Sequence, residues 1–152
     1  MAARAFISLG LERYDGVNIY GFNSPEWFVG EMAAIFAGGI AAGIYPSDTP
    51  DQVQYKAVHS GSSIAVVDSI KKAKMFLDAA TELPKLKAVV VWDNNDATSE
   101  DLKLSDGRVV RVVKWSDLKT VAEEDGKTEE VLDQRLADQK PGHACTYIYT
   151  SG

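Results

Sequence analysis

Short, continuous apolar runs alternate along this chain with stretches whose apolar residues recur every three or four positions. Phe6, Leu9 and Leu11 predict a short opening helix, closed by Gly10 or Gly16. Residues 17–21 then read as a first strand. Ser24-Pro25-Glu26 is a helix start: a hydroxyl at the N-cap, proline in the first turn and an acid at the positive end of the dipole. Behind it Phe28, Met32, Ile35, Phe36 and Gly39 share one helical face, which predicts the buried side. Gly38-Gly39 ends that helix, and residues 40–45 read as the second strand. Thr49-Pro50-Asp51-Gln52 is a capping box, so a helix should run to about Ser60 with Gly61 as its terminating glycine. Residues 64–67 make a third strand. Ile70, Ala73, Phe76, Leu77 and Ala80 form the next amphipathic helix, which Pro84 stops. Residues 88–92 make a fourth strand.

After Trp92 the rhythm breaks. Residues 93–107 are polar, with Asn94-Asn95 and Asp106-Gly107 as turn signals, and read as an exposed loop. Residues 108–114 alternate around four valines and predict an edge strand. Trp115-Ser116-Asp117-Leu118 opens a helix bearing Val121 and Ala122, and Thr128 is placed as the cap of another carrying Val131, Leu132 and Leu136. Pro141-Gly142 is a turn before a final strand over 144–149. Apolar strands alternating with helices imply a parallel sheet covered on both faces. The predicted class is therefore α/β: a three-layer, mostly parallel sheet flanked by helices, of flavodoxin-like type.

Composition changes this picture little. At 152 residues, 45% hydrophobic and 25% charged, the chain can bury a core. A net charge of -6 argues against a nucleic-acid surface, which needs clustered Lys and Arg, and against docking on anionic headgroups. The single Cys145 excludes an internal disulfide. No apolar run approaches the ~20 residues of a spanning helix, and no secretory signal follows Met1.

Candidate chemistry concentrates at the last strand, where Thr150-Ser151-Gly152 offers two hydroxyls and a glycine backbone. Such groups after a buried strand can converge on phosphate oxygens. Alone, the tripeptide reads as a turn. Gly38-Gly39-Ile40-Ala41-Ala42-Gly43 lies where a helix enters a strand, the reverse of a dinucleotide fingerprint, so it reads as backbone packing. His59 and His143 have no metal-ligand spacing: His59 reads as a dipole partner at a helix end and His143 as a turn residue. Cys145 reads as a small core residue, Trp27 and Phe28 as core packing, and Glu123-Glu124-Asp125 as a solvated face.

Context raises the weight of the terminal tripeptide. Residues 147–152, Tyr-Ile-Tyr-Thr-Ser-Gly, resemble the opening of the phosphate-binding motif of the adenylate-forming superfamily. Gly21 to Phe28 resembles the segment that opens the first large helix of these enzymes. Ala37 to Ile40, Gly43 to Pro46, and Pro50 to Gly61 resemble the segments that follow, and Leu83 to Val90 is similar to a segment of long-chain fatty acyl-CoA synthetases. The Asn-Ser-Pro-Glu-Trp wording at 23–27 is nearest to the bubblegum type. The resemblance implies that 1–152 is an incomplete portion of the AMP-binding N-terminal domain, with both ends reading as cuts. It implies a parent ligase using ATP, Mg²⁺ and coenzyme A to activate a fatty acid, cytoplasmic and able to sit peripherally on the endoplasmic reticulum or other membranes. It also implies that Thr150, Ser151 and Gly152 bind ATP phosphates, and that the piece alone is inactive. Two alternatives stay open: another adenylate-forming ligase acting on short-chain acyl or aryl acids, and a non-catalytic α/β binding module.

Overall fold

A computed structural model describes residues 1–93 and 97–150. Seven strands form one sheet: β1 (Gly16–Tyr20), β2 (Ile40–Ile44), β3 (Ser62–Val67), β4 (Ala88–Val91), β5 (Glu100–Lys103), β6 (Val109–Lys114) and β7 (Thr146–Tyr147). Their order is β5-β6-β4-β3-β1-β2-β7, and every pairing is parallel except the β5–β6 hairpin. Without the two outermost strands, the order is that of the flavodoxin-like doubly wound sheet.

Six α-helices cover the sheet: α1 (Ala2–Ser8), α2 (Pro25–Phe36), α3 (Pro50–His59), α4 (Ile70–Asp78), α5 (Leu118–Glu124) and α6 (Thr128–Ala137). Side chains alternate across the pleat and separate two cores. Val17, Ile19, Ile64, Val66, Ala88 and Val90 meet α1, α2 and α5 on one face. Tyr20, Ala65, Val67, Val89 and Val91 meet α3 and α4 on the other. The predicted three-layer architecture is present.

The local signals act as read at several ends. Ser24 Oγ accepts from the Trp27 N–H at 3.1 Å, with Pro25 opening α2. Thr49 and Gln52 form both bonds of the capping box. Gly61 turns left-handed at φ +59°, a conformation costly to any side-chain-bearing residue, and its own carbonyl accepts from the Gly16 N–H at the head of β1.

Other readings are corrected. On α2 the buried stripe is Gly30, Ala33 and Ala34, continued by Ala37, while Phe28 is 61% and Phe36 44% exposed. Small residues let the helix lie close to the sheet, with Gly30 directly above Val66 and Ile19. The large side chains therefore point away, and of the aromatic pair only Trp27 packs against the core. Residues 108–114 are not at the edge, because β6 lies between β4 and β5. Residues 100–103, inside the loop expected over 93–107, pair with β6 as the outermost strand, with mostly exposed side chains; 94–96 lie outside the described residues.

Thr128 is not a cap. It is buried as the first residue of α6, donating its hydroxyl to the Ala122 carbonyl at 2.9 Å and accepting from Arg4 at 3.2 Å. Glu123, Glu124 and Asp125 are exposed, as read, and on that face Glu124 also accepts both arms of Arg111 at 2.7 and 3.0 Å. The final strand is also shorter than 144–149, and Cys145 before it is exposed. A two-residue strand with a single neighbour has no second ladder and little cover, so its flanks stay in solvent.

Candidate functional site

In open α/β sheets the ligand crevice lies beyond the carboxyl ends of the strands, where successive helices leave to opposite faces. Here that point falls between β1 and β3, from which α2 and α4 depart. It is filled by the chain itself. A Cβ on Gly21 would meet the Trp92 ring at 2.4 Å and the Asp68 Cβ at 2.9 Å, so only glycine admits the indole. Asp68 accepts from the Phe22 N–H at 3.3 Å and from Lys72 Nζ at 2.6 Å, and the ammonium sits 4.6 Å from the Tyr20 ring centroid.

The open space lies one step along the same edge. A cavity of about 320 Å³ is framed by the carboxyl ends of β1, β2 and β7, with Trp27, Glu31, Tyr45, Tyr147 and Tyr149 among its walls. β7 runs parallel to β2, Ala41 opposite Thr146 and Ala42 opposite Tyr147, so the chain leaving it after Tyr147 runs along this cavity, which Ile148 and Tyr149 help to line. Thr150 is exposed there. Ser151 and Gly152 lie outside the described residues.

Sequence reasoning missed the side chains that anchor Tyr149. Its hydroxyl lies 3.0 Å from His59 Nδ1 and 3.4 Å from the Lys56 carbonyl, to which it can donate. Its own carbonyl accepts from the Tyr45 hydroxyl at 3.3 Å. Lys56 Nζ sits between two rings, 5.0 Å from the Tyr45 centroid and 5.3 Å from that of Tyr149, while pairing with Asp48. That pair is about nine-tenths buried on both sides. Asp48 also accepts from the Tyr45 N–H at 3.1 Å, which fixes the turn after β2. Burial holds the Tyr149 phenol above its ordinary pKa, so it remains a neutral donor. The signal available in sequence was a tyrosine directly before Thr150 and a Lys and His in the last turn of a capped helix.

His59 does stand in the last turn of α3, as expected, and it also stacks on Tyr55 at 5.6 Å. His143 belongs to the other end of the sheet, where it meets the Tyr14 ring edge-on beside a hollow of about 240 Å³. Among the described residues no three His, Cys, Asp or Glu side chains converge as metal ligands, and no helix is long and apolar enough to cross a membrane.

Comparison with known proteins agrees with this geometry. The family model of the AMP-binding enzymes matches residues 1–152. The long-chain-fatty-acid–CoA ligase ACSBG2 of Xenopus laevis is 38% identical over 152 residues, covering 100% of this chain and 19% of that protein. ACSBG1 of Rattus norvegicus, also a long-chain-fatty-acid–CoA ligase, is 37% identical over 150 residues, covering 99% and 19%. The chain thus spans about a fifth of the length of these curated relatives. Among solved structures, a mutant form of coronafacic acid ligase from Pectobacterium brasiliense superposes with a TM-score of 0.61 at 16% identity, covering 78% of this chain and 22% of that one. The anthranilate CoA ligase AuaEII, in complex with anthranoyl-AMP, gives 0.55 at 22% identity, covering 59% and 17%. At such identities these two establish the fold alone, an α/β architecture with a mostly parallel sheet flanked by helices. With its whole length matched, the chain belongs to the AMP-binding enzyme family and is a fragment related to its bubblegum long-chain fatty acid–CoA ligases.

Proposed function

We propose that this chain is the part of a long-chain fatty acid–CoA ligase that carries the start of the ATP phosphate-binding loop. Thr150, Ser151 and Gly152 are assigned to the β- and γ-phosphates. The reaction begins when the fatty-acid carboxylate attacks the α-phosphorus of ATP. An oxygen–phosphorus bond forms, the bond to the β-phosphate oxygen breaks, and pyrophosphate leaves with the electron pair. Coenzyme A thiolate then attacks the acyl carbonyl, AMP departs, and a thioester remains.

The physical obstacle in the first step is repulsion between a carboxylate and a polyanion. Donors held on the leaving phosphates lower it because they are already oriented when charge builds up there. Thr150 and Ser151 would supply hydroxyls and Gly152 a backbone that a phosphate can approach closely. Magnesium accompanies the nucleotide and, when bound, neutralises part of the leaving group's charge. The described residues offer Thr150 as an oxygen donor toward it and no cluster of acids, which fits a cation brought in on the triphosphate.

The observation that supports this reading is position: Tyr149, directly before Thr150, lines the aromatic-walled cavity at the carboxyl edge of the sheet. By itself the 152-residue chain should form no thioester, since it corresponds to about 19% of its relatives. Fatty acid, ATP and coenzyme A are the proposed partners, and the cytoplasm, with peripheral membrane contact, the proposed location.

The test is a chimera in which this chain replaces its counterpart in the Xenopus laevis ligase. Formation of long-chain acyl-CoA from palmitate, ATP and coenzyme A is the expected result. A chimera that melts cooperatively yet makes neither acyl-adenylate nor thioester would remove the ligase assignment. Thioester formed only from a short-chain or aryl acid would move it to another adenylate-forming ligase.

A further inference from the structure

We infer that Tyr149, Tyr45, Lys56 and His59 form a clamp that sets the direction in which the chain leaves β7, making Tyr45, Lys56 and His59 positioning residues for the segment beginning at Thr150. The inference rests on the phosphate-loop reading for its purpose, not for its geometry.

The need for a clamp follows from the sheet. β1 is held by ladders on both sides, to β2 and to β3. β7 has two residues and one neighbour, and its register stops at Tyr147. The two residues that separate it from Thr150 have no place in the ladder, and Ile148 is 78% exposed. A backbone so weakly tied would sample many directions, and each residue left free adds conformational entropy.

Tyr149 is tied at both ends. Its carbonyl accepts from Tyr45, which follows β2; its hydroxyl reaches His59 and the Lys56 carbonyl in the last turn of α3. Lys56 fills the space between the rings and is itself fixed by Asp48. Lys56 and His59 lie three positions apart on one face of a helix whose first turn is locked by its capping box. The clamp therefore transmits the placement of α3 and of the β2 turn to the residue directly before Thr150. A loop that must present hydroxyls to a phosphate chain within a fraction of an ångström needs its supporting side chains held in this way.

The experiment is residue-resolved amide exchange on the 152-residue chain and four variants. His59→Ala and Tyr45→Phe each remove one hydrogen bond, and Tyr149→Phe removes two. His59→Asn keeps a polar group, able to donate or accept, where Nδ1 stood. The Tyr147 amide, at the end of the β7 ladder, should be protected in the parent chain. His59→Ala and Tyr45→Phe should each raise its exchange rate about fivefold, the effect of one hydrogen bond, and Tyr149→Phe should raise it further. His59→Asn should restore protection to near the parent level, and amides of β1 and β3 should not change. Three results would overturn the clamp: free-chain exchange at Tyr147 in the parent, equal exchange in all variants, or acceleration spread uniformly over the whole sheet. A functional outcome is separable. If the clamp behaves as described while the ligase chimera makes no acyl-adenylate, the phosphate reading falls and the clamp stands.

Discussion

The interior strands β1, β3 and β4 and the terminal segment 144–150 belong to one sheet yet are held by different forces. β3 and β4 are buried along their whole length, with ladder partners on both sides and helices over both faces. Their position is decided by apolar area removed from water and by backbone bonds. The terminal segment has a two-residue ladder on one side, and beyond it a tyrosine tied by side chains. Nonspecific forces thus build the platform, and specific ones aim the residues that leave it. Stability and function should therefore respond to different mutations.

The comparison breaks if the interior does not dominate stability. Phe76 is 1% exposed on α4, edge-on to Tyr20 at 6.5 Å. Phe76→Ala should cost about 3–5 kcal/mol in urea unfolding, through lost transfer energy and a residual cavity. A loss well under 1 kcal/mol would mean that this face is not packed as described. Gly21→Ala should follow at about 1–3 kcal/mol, because the methyl group must displace the Trp92 ring and the Asp68 side chain. The same variant should change tryptophan fluorescence, because the Trp92 ring is the nearest neighbour of the added methyl group.

Smaller effects sharpen the contrast. Hydrogen bonds from Arg111 hold the Glu124 carboxyl below its ordinary pKa. A depressed carboxylate stabilises the fold above its unfolded pKa and loses that contribution as pH falls through the folded value. This pair is substantially exposed, so Glu124→Gln should cost under about 1 kcal/mol at neutral pH. The difference from the parent chain should vanish in acid. Ile148→Ala should change stability by less than about 0.5 kcal/mol, since the side chain is 78% exposed. A large loss there would place the terminal segment in the core.

This division also explains what could be read from the residues alone. β1 to β4 were visible because strands covered on both faces must be apolar throughout, and the caps at Ser24 and Thr49 because their chemistry is local. The buried face of α2 was not, since hydrophobic periodicity weights large side chains and this helix packs through Gly30, Ala33 and Ala34. β5 was hidden because its side chains are mostly exposed and its identity comes only from pairing with β6. Cys145 looked like a core residue because an apolar neighbourhood does not reveal whether a strand has one neighbour or two. For the site, Thr150 and the two residues after it are proposed from the motif alone. Tyr45, Lys56 and His59 were not, because 90 or more residues separate them from Tyr149 and only the fold brings them together.

The most direct measurement of the central claim is fatty-acid-dependent exchange of labelled pyrophosphate into ATP by the Xenopus laevis chimera, with and without Thr150→Val and Ser151→Ala. If these hydroxyls grip the leaving phosphates, exchange should fall by about 10²-fold or more in the double variant while the melting temperature holds. Undiminished exchange in that variant would contradict the assignment of this loop to ATP.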